Sequence, residues 1–162
     1  MKSKNNNRGF TIVELIVTMA IIAVILGITV PTILSGTSKT ALKRTARDVT
    51  VELKAARQLA ISRNMQFRVF FTLGTTNTIN REYRVNTSSA WQTDPVRSTR
   101  TMDSRVDITS PVTSPSTFSV TFNPNGSATA TEICIQNLSD SSDRKKVQVY
   151  NITGRVEILN AC

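Results

Sequence analysis

The 162-residue chain contains no histidine, so any candidate site lacks the commonest general base and the commonest metal ligand. A serine triad cannot form without an imidazole, and the sequence offers neither a phosphate-binding glycine loop nor a nucleophile beside a base. The two cysteines, Cys134 and Cys162, are too far apart for a zinc-knuckle spacing. We therefore expect a protein that is not an enzyme and that holds no metal and no cofactor.

Aromatic residues are also scarce, at 6% of the chain, while hydrophobic residues make up 40%. The length suggests one globular domain with a modest core, and an N-terminal segment that stands apart from it. The two cysteines leave two alternatives open. Outside the cytoplasm they would pair and close a loop of about 29 residues, which would stabilise the fold by about 3–4 kcal/mol; otherwise both remain free thiols.

Acidic residues are outnumbered, since 20 lysines and arginines face 11 aspartates and glutamates, which gives a net charge of +9. The excess is concentrated between residues 39 and 68, where the only acids are Asp48 and Glu52. The basic residues of this stretch are Lys39, Lys43, Arg44, Arg47, Lys54, Arg57, Arg63 and Arg68. Such a face is usually solvated, but an acidic partner, lipid head groups or DNA would also suit it.

The N-terminus carries one long apolar run, residues 15–30, directly after the carboxylate of Glu14. A secretory signal would end in a small-residue cleavage site, which is missing here, and a core helix would be amphipathic rather than apolar on all sides. Residues 10–34 supply 25 positions, enough for a membrane helix. The basic residues before it predict that residues 1–9 stay in the cytoplasm. A carboxylate at the edge of such a helix tends to mark function.

The stretch from Gly9 through Phe10 to Glu14 resembles the leader sequence of type IV prepilins and type II secretion pseudopilins, and the rest of the chain is similar to the GspH/FimT branch. The resemblance implies that a prepilin peptidase removes residues 1–9 by cutting between Gly9 and Phe10, and that the new amine of Phe10 is methylated. It also implies that Glu14 pairs with the amine of a neighbouring subunit, where a buried ion pair sets register. A plainer alternative is that Glu14 merely reaches the membrane interface.

Beyond the anchor, apolar residues recur at helical spacing, so one helix is predicted over about residues 11–64. This stripe consists of Leu42, Ala46, Val49, Leu53, Ala56 and Ala60. The pattern then changes to about seven short strands, near residues 67–71, 82–85, 106–108, 118–122, 131–135, 146–150 and 156–159. We predict an α+β fold in which a long N-terminal helix packs on antiparallel β-sheets, as in pilins, with residues 35–162 forming the periplasmic domain.

The connections between these strands contain turn signals at residues 123–126 and at Thr153-Gly154. The polar cluster from Ser139 to Asp143 is predicted to be a loop. Residues 86–104 are rich in serine and threonine, and are predicted to form an exposed connection suited to a variable binding loop.

The resemblance implies a structural role, as a minor pseudopilin of a type II secretion system that helps to initiate or cap a filament growing from the inner membrane. Its partners would be other pseudopilins, the prepilin peptidase and the inner-membrane assembly platform. The alternative is a type IV minor pilin that primes pilus growth or binds DNA during uptake. For DNA, Gly154 and Arg155 match the family's closing hairpin, but Glu157 replaces an expected basic residue and would oppose a phosphate. Lys145 and Lys146, beside Arg144, would form a separate basic patch, so nucleic-acid binding is not the favoured hypothesis.

Overall fold

The computed structural model of the chain describes residues 10–97, 99–160 and 162. For residues 27–36 it describes the backbone but not the side chains. The chain divides into two compact units, Met1–Thr37 and Ser38–Cys162. One helix, α1 (Ile12–Arg63), contributes residues to both units. The predicted leader, residues 1–9, lies outside the described residues.

Both ends of α1 have recognisable caps. The Oγ1 atom of Thr11 accepts a hydrogen bond from the backbone N–H of Glu14 at 3.2 Å, so Thr11 is the N-cap and Glu14 the third helical residue. At the other end, Asn64 has a φ of 52°, and the N–H of Met65 donates to the carbonyl of Ala60 at 3.3 Å. This hydrogen bond, to the carbonyl five residues earlier, is the one of larger sequence separation among the two that define a Schellman motif. The helix thus ends at Arg63, next to the predicted Asn64.

The predicted apolar stripe of α1 lies in the core, because each of its six residues is at most 1% exposed. The strands are β1 (Gln66–Leu73), β2 (Thr78–Arg84), β3 (Gln92–Thr93), β4 (Arg100–Thr101), β5 (Val106–Ser110), β6 (Ser116–Phe122), β7 (Thr131–Asn137), β8 (Asp140–Val149) and β9 (Val156–Leu159). They form two antiparallel sheets. Sheet A has the order β3-β2-β1-β6 with β4 also paired to β2, and sheet B has the order β5-β7-β8-β9.

A single core joins the helix to both sheets. Sheet A contributes large side chains such as Phe67, Phe71 and Phe122, and sheet B contributes Ile133 and Ile135, all of them fully buried. Inward and outward residues alternate along the strands, as a half-buried sheet requires. In β1, for example, buried and partly buried positions alternate from Gln66 to Phe71.

Two predictions about connections were wrong. Asp140 already belongs to β8, and only Leu138 and Ser139 form the turn after β7, where the side chain of Asn137 accepts the N–H of Ser139 at 2.9 Å. The polar side chains of residues 140–142 are exposed, so their composition does not oppose a strand whose backbone pairs with β7. Residues 86–104 are not merely an exposed connection either, since β3 and β4 both pair with β2 and Asp94 is only 1% exposed.

Candidate functional site: an N-terminal apolar helix and a basic groove

The first turn of α1 displays two of the residues singled out from the sequence. Phe10 is 82% exposed, and Glu14 is also exposed, next to the Thr11 cap. The spacing from Thr11 to Glu14 is that of a capping box, in which a glutamate at the third position favours helix initiation. Sequence reasoning overlooked this pattern, although Thr-x-x-Glu before an apolar run is its usual signal. Gly9 lies outside the described residues.

After this cap, α1 exposes apolar side chains all around its circumference. The large exposed ones are Phe10, Ile12, Val13, Leu15, Ile16, Val17, Met19, Ile21, Ile22, Val24, Ile25 and Leu26. Successive residues of a helix point about 100° apart, so such a run leaves no polar face. Among the residues that the structure describes, no helix is long and apolar enough to cross a bilayer.

In the second unit, two glycines meet where α1 contacts the turns before β7 and β9. Both Gly126 and Gly154 have positive φ, at 83° and 57°. A Cβ added to Gly154 would lie 2.2 Å from the carbonyl oxygen of Gly126. The Nε of Arg57 donates to the carbonyls of Thr153 at 3.0 Å and Gly126 at 3.4 Å. These two turns, both predicted from the sequence, are therefore held against the helix and against each other.

The basic residues proposed for DNA are not brought together. Arg155 lies at the tip of the β8–β9 hairpin, where its carbonyl accepts the N–H of Tyr150 at 3.0 Å. Lys146 lies opposite Leu159, at the other end of the same hairpin, and pairs with Glu132 at 3.5 Å. The four steps from Lys146 to Tyr150 span about 13 Å of strand. Neighbouring strand residues face opposite sides, so Lys145 and Lys146 also diverge from each other.

Arg155 is largely neutralised by the acid two residues on. Its Nη2 donates to Oε1 of Glu157, and the hydroxyl of Tyr150 donates to Oε2 of the same carboxylate at 3.2 Å. The hydrogen bond from Arg155 lowers the pKa of Glu157 below its usual range, with Tyr150 and the positive charge of Lys54 acting in the same direction. The departure from the DNA-binding pattern thus has a structural consequence, which is an intramolecular ion pair in place of two cations.

Cys134 of β7 and Cys162 form a disulfide, with their Cα atoms 5.9 Å apart. Cys134 lies opposite Lys146 of β8, so the bridge brings Cys162 back across β8 from β9 towards β7. The residues after β9 are therefore directed away from the outer edge of that strand. Lys145 also holds this segment, because its Nζ donates to Oδ1 of Asn160 at 2.7 Å.

A basic groove runs between α1 and β9. We use this name for the surface lined by Lys43, Arg47, Lys54 and Arg57 of α1 and by Lys145, Arg155 and the β9 residues. Its larger part has a volume of about 830 Å³. Lys43, Arg47 and Lys54 are exposed, and among the described residues no carboxylate forms an ion pair with them. The sequence located these cations on one helix but did not show that they face a strand edge.

The opposite flank of α1 carries a buried ion cluster, which sequence reasoning missed. Glu52, 4% exposed in its side chain, contacts Arg97 at 2.5 Å, Arg81 at 3.6 Å and Arg100 at 3.7 Å. Arg81 also binds Asp94 at 2.7 Å. Glu52 on the apolar side of an otherwise basic helix was the available signal, since a buried carboxylate requires a cation. In the part of the chain that the structure describes, no group of acidic or cysteine side chains has the makings of a metal site.

Two family models match the chain. The prokaryotic N-terminal methylation motif matches residues 4–30, and the model for type II transport protein GspH matches residues 45–154. The chain belongs to the GspH family. The matched region contains Arg57, Gly126 and Gly154, the three residues that fasten the turns to α1. The relationship suspected from the sequence is confirmed, and with it the assignment to the pilin-like proteins. A search of curated proteins finds no match.

Solved structures of the same fold include the minor pseudopilin EpsH from the type 2 secretion system of Vibrio cholerae. It is 15% identical, with a TM-score of 0.55, over 74% of this chain and 96% of that one. The type IV minor pilin FimU of Pseudomonas aeruginosa is 18% identical, with a TM-score of 0.53, over 76% of this chain and 91% of that one. These likenesses confirm the predicted fold, a long N-terminal helix on antiparallel sheets.

Proposed function

We propose that this protein is a minor pseudopilin of a type II secretion system, held in the inner membrane by residues 10–34 with the remainder in the periplasm. The observation that carries this proposal is the apolar N-terminal part of α1, which exposes eleven large hydrophobic side chains from Ile12 to Leu26, with Phe10 exposed just before it. A soluble monomer rarely leaves so much contiguous apolar surface in water. Membership of the GspH family supports a role as a structural subunit, with no catalytic function.

The same surface would serve twice. In the bilayer, lipid would cover it until assembly. In the filament, the corresponding helices of other pseudopilins would replace the lipid, and each fully buried aliphatic side chain contributes about 1.5–3 kcal/mol relative to water. Packing of this helix against its neighbours in the filament would thus favour extraction of the subunit from the membrane, and this would take place at the assembly platform. The subunit would lie at or near the tip, where it would help to initiate or cap the filament.

Leader removal is the first step that can be tested. We propose that the prepilin peptidase cuts between Gly9 and Phe10 and methylates the amine of Phe10, in keeping with the matched methylation motif. Intact-mass measurement on protein purified from its membrane should give the mass of residues 10–162 plus one methyl group. Gly9→Val should retain the leader. A wild-type chain that kept residues 1–9 would contradict this processing.

Glu14 is proposed to pair with the free amine of a neighbouring subunit, but its place in the Thr11 cap offers a competing local role. The two can be separated because glutamine also suits the third position of a capping box, yet carries no charge. Glu14→Gln should insert in the membrane normally and assemble poorly. Thr11→Val, which removes the cap oxygen and keeps the carboxylate, should assemble. Normal incorporation of Glu14→Gln would show that the charge is dispensable.

The type IV minor pilin remains the second candidate, because FimU shares the fold at a similar TM-score. A deletion strain separates the two functions when released proteins and surface pili are measured side by side. Loss of secretion with normal pili is the result expected for a type II pseudopilin. Loss of pili with normal secretion would make the protein a minor pilin instead. The deletion should be complemented with the Glu14→Gln variant, which is expected to fail in either system.

A further inference from the structure

The outer edge of β9 is open. Strand β9 ends sheet B, and among the described residues only β8 pairs with it. Every residue from Thr153 to Leu159 lines the basic groove. Four of these residues, Val156 to Leu159, form β9. Since alternate side chains of a strand point to opposite faces, a groove lined by all four follows the strand's edge rather than one face of it. An unpaired strand edge is a ready template for another strand.

The hydrogen bonding of β9 shows which peptide groups face the groove. The carbonyl of Arg155 accepts from Tyr150 on the β8 side. In an antiparallel pair, both backbone groups of a residue point to the same side and successive residues alternate. The N–H and C=O of Val156 and Ile158 therefore point away from β8, towards the groove. Ile158 and Leu159 are also 40% and 38% exposed. Charged residues usually protect such an edge, but the charged residue of β9, Glu157, is already paired with Arg155.

The opposite wall of the groove is positively charged. Lys43, Arg47, Lys54 and Arg57 lie along one stripe of α1, spaced by four, seven and three residues. The fourteen steps from Lys43 to Arg57 cover about 21 Å of helix, which matches the length of about six residues of an extended chain. Glu157, the one acid among the groove's lining residues, is already paired with Arg155. A strand laid beside β9 would thus face uncompensated positive charge along its length.

We propose that the basic groove binds an extended, acidic segment of a partner protein, which adds to sheet B as a strand beside β9. Main-chain bonds to Val156 and Ile158 would hold the backbone, and acidic side chains would meet the cations of α1. Among the described residues after β9, none pairs with this edge, and the disulfide draws Cys162 towards β7. Such docking does not depend on assembly into a filament. The exposed apolar residues Ile158 and Leu159 and the carboxylate of Glu157 favour a peptide over a nucleic acid, because they offer little to a phosphate backbone.

Fluorescence anisotropy on the full chain in detergent micelles tests this docking. The probe is a labelled peptide of about eight residues that alternates glutamate with valine, long enough to span the groove. A matched peptide carries N-methyl groups on alternate peptide bonds, which prevents strand pairing and leaves the charge unchanged. The first peptide should bind, and the N-methylated one should bind at least tenfold more weakly. Equal binding of the two peptides, or no binding of either, would overturn strand addition.

Two variants test the two halves of the interaction. Ile158→Pro removes an N–H that points away from β8, so the β8–β9 pair keeps its bonds, and the peptide should bind at least tenfold more weakly. The double variant Arg47→Glu with Lys54→Glu should weaken binding to a similar extent. Its matched control is Arg63→Glu with Arg144→Glu, which changes the net charge equally outside the groove and should leave binding within twofold. Equal losses in both double variants would mean a non-specific charge effect and contradict the groove.

A double-stranded oligonucleotide is the competing probe. If it binds, loses affinity with Arg47→Glu and Lys54→Glu, and is insensitive to Ile158→Pro, while the acidic peptide does not bind, the groove is a polyanion site and the proposed strand docking is wrong. Thermal unfolding followed by circular dichroism confirms that each variant is folded. The comparison of the two peptides on the wild-type chain keeps the test decisive even if Ile158→Pro fails to fold.

Discussion

The two flanks of α1 in the second unit use charge in opposite ways. On one flank, the buried ion cluster matches three arginines with the carboxylates of Asp48, Glu52 and Asp94. On the other flank, the basic groove leaves Lys43, Arg47 and Lys54 exposed without a carboxylate partner among the described residues. One helix therefore contacts a neutral set of charges with a buried centre, Glu52 with Arg81, and on its other flank presents an open, positive set.

The difference shows what holds each flank together. The ion cluster links α1 to β2 and to the connection between β2 and β5, so that connection depends on charge pairs. The groove flank is fastened by backbone instead, through the contact of Gly154 with Gly126 and the bonds of Arg57 to two carbonyls. Lys43, Arg47 and Lys54 take part in neither of these contacts, so they are available to a partner. Substitutions should therefore separate stability from binding on the groove side and not on the cluster side.

The largest effect is expected where the groove flank depends on backbone contact. Gly154→Ala places a Cβ 2.2 Å from the carbonyl oxygen of Gly126 at a positive φ, so the turn must move, and we expect a loss of more than about 3 kcal/mol in unfolding free energy. Urea unfolding of the full chain in detergent measures it. Gly74→Ala is the matched control, because nothing lies within 4 Å of its new Cβ. Similar losses in the two variants would mean that the contact has no special role.

The next effect belongs to the ion cluster. Glu52→Gln keeps the size of the side chain but removes its negative charge. The neighbouring Arg81, whose side chain is only 9% exposed, then loses one of its carboxylate partners. Breaking a buried pair by removing one partner costs about 3 kcal/mol or more, and we expect about 3 here because Arg97 and Arg100 can turn to solvent. Asp48→Asn removes an acid that is 46% exposed and should cost less than about 1 kcal/mol. Equal losses for both would contradict the importance of burial.

The sequence predicted one flank of this comparison better than the other. The stripe from Leu42 to Ala60 and the concentration of cations on α1 follow from local periodicity, and so does the helix end near Asn64. The ion cluster could not be predicted, because Arg81 and Asp94 come from separate strands and connections and meet Glu52 only after sheet A has formed. The same limit explains why the sequence predicts residues 86–104 to be merely an exposed connection. Likewise, Arg155 and Lys145 are close in sequence, but the β8–β9 register separates them.

A smaller effect is expected for the side chain that links the helix to both turns. Arg57→Ala removes the hydrogen bonds to the carbonyls of Gly126 and Thr153, and we expect a loss of about 1–2 kcal/mol in unfolding free energy. Arg63→Ala, near the end of the same helix, should cost less than about 0.5 kcal/mol. Amide hydrogen exchange should show faster exchange at residues 123–126 and 153–154 in Arg57→Ala alone. Unchanged exchange there would mean that the glycine contact suffices to hold the turns.

The smallest effect is expected for an exposed ion pair, and it tests whether burial is what makes the ion cluster strong. Asp103 and Arg105 form a local ion pair at 2.7 Å whose side chains are 30% and 45% exposed. The hydrogen bond from Arg105 lowers the pKa of Asp103 from 3.8 to about 2. Because the pKa of Asp103 is lower in the folded chain than in the unfolded chain, its ion pair stabilises the fold at pH values above about 4. This contribution is progressively lost as the pH falls from about 4 towards 2. Solvent screening should keep it below about 1 kcal/mol.

The measurement is the difference in unfolding free energy between the wild type and Arg105→Gln, followed from pH 6 to pH 2. We expect a small difference at pH 6 that shrinks below pH 4 and is mostly lost at pH 2, where Asp103 is about half protonated in the folded wild type. A difference that remained undiminished at pH 2 would have to come from packing of the arginine rather than from its charge. A difference as large as that of Glu52→Gln would show that burial is not what separates the two kinds of ion pair in this domain.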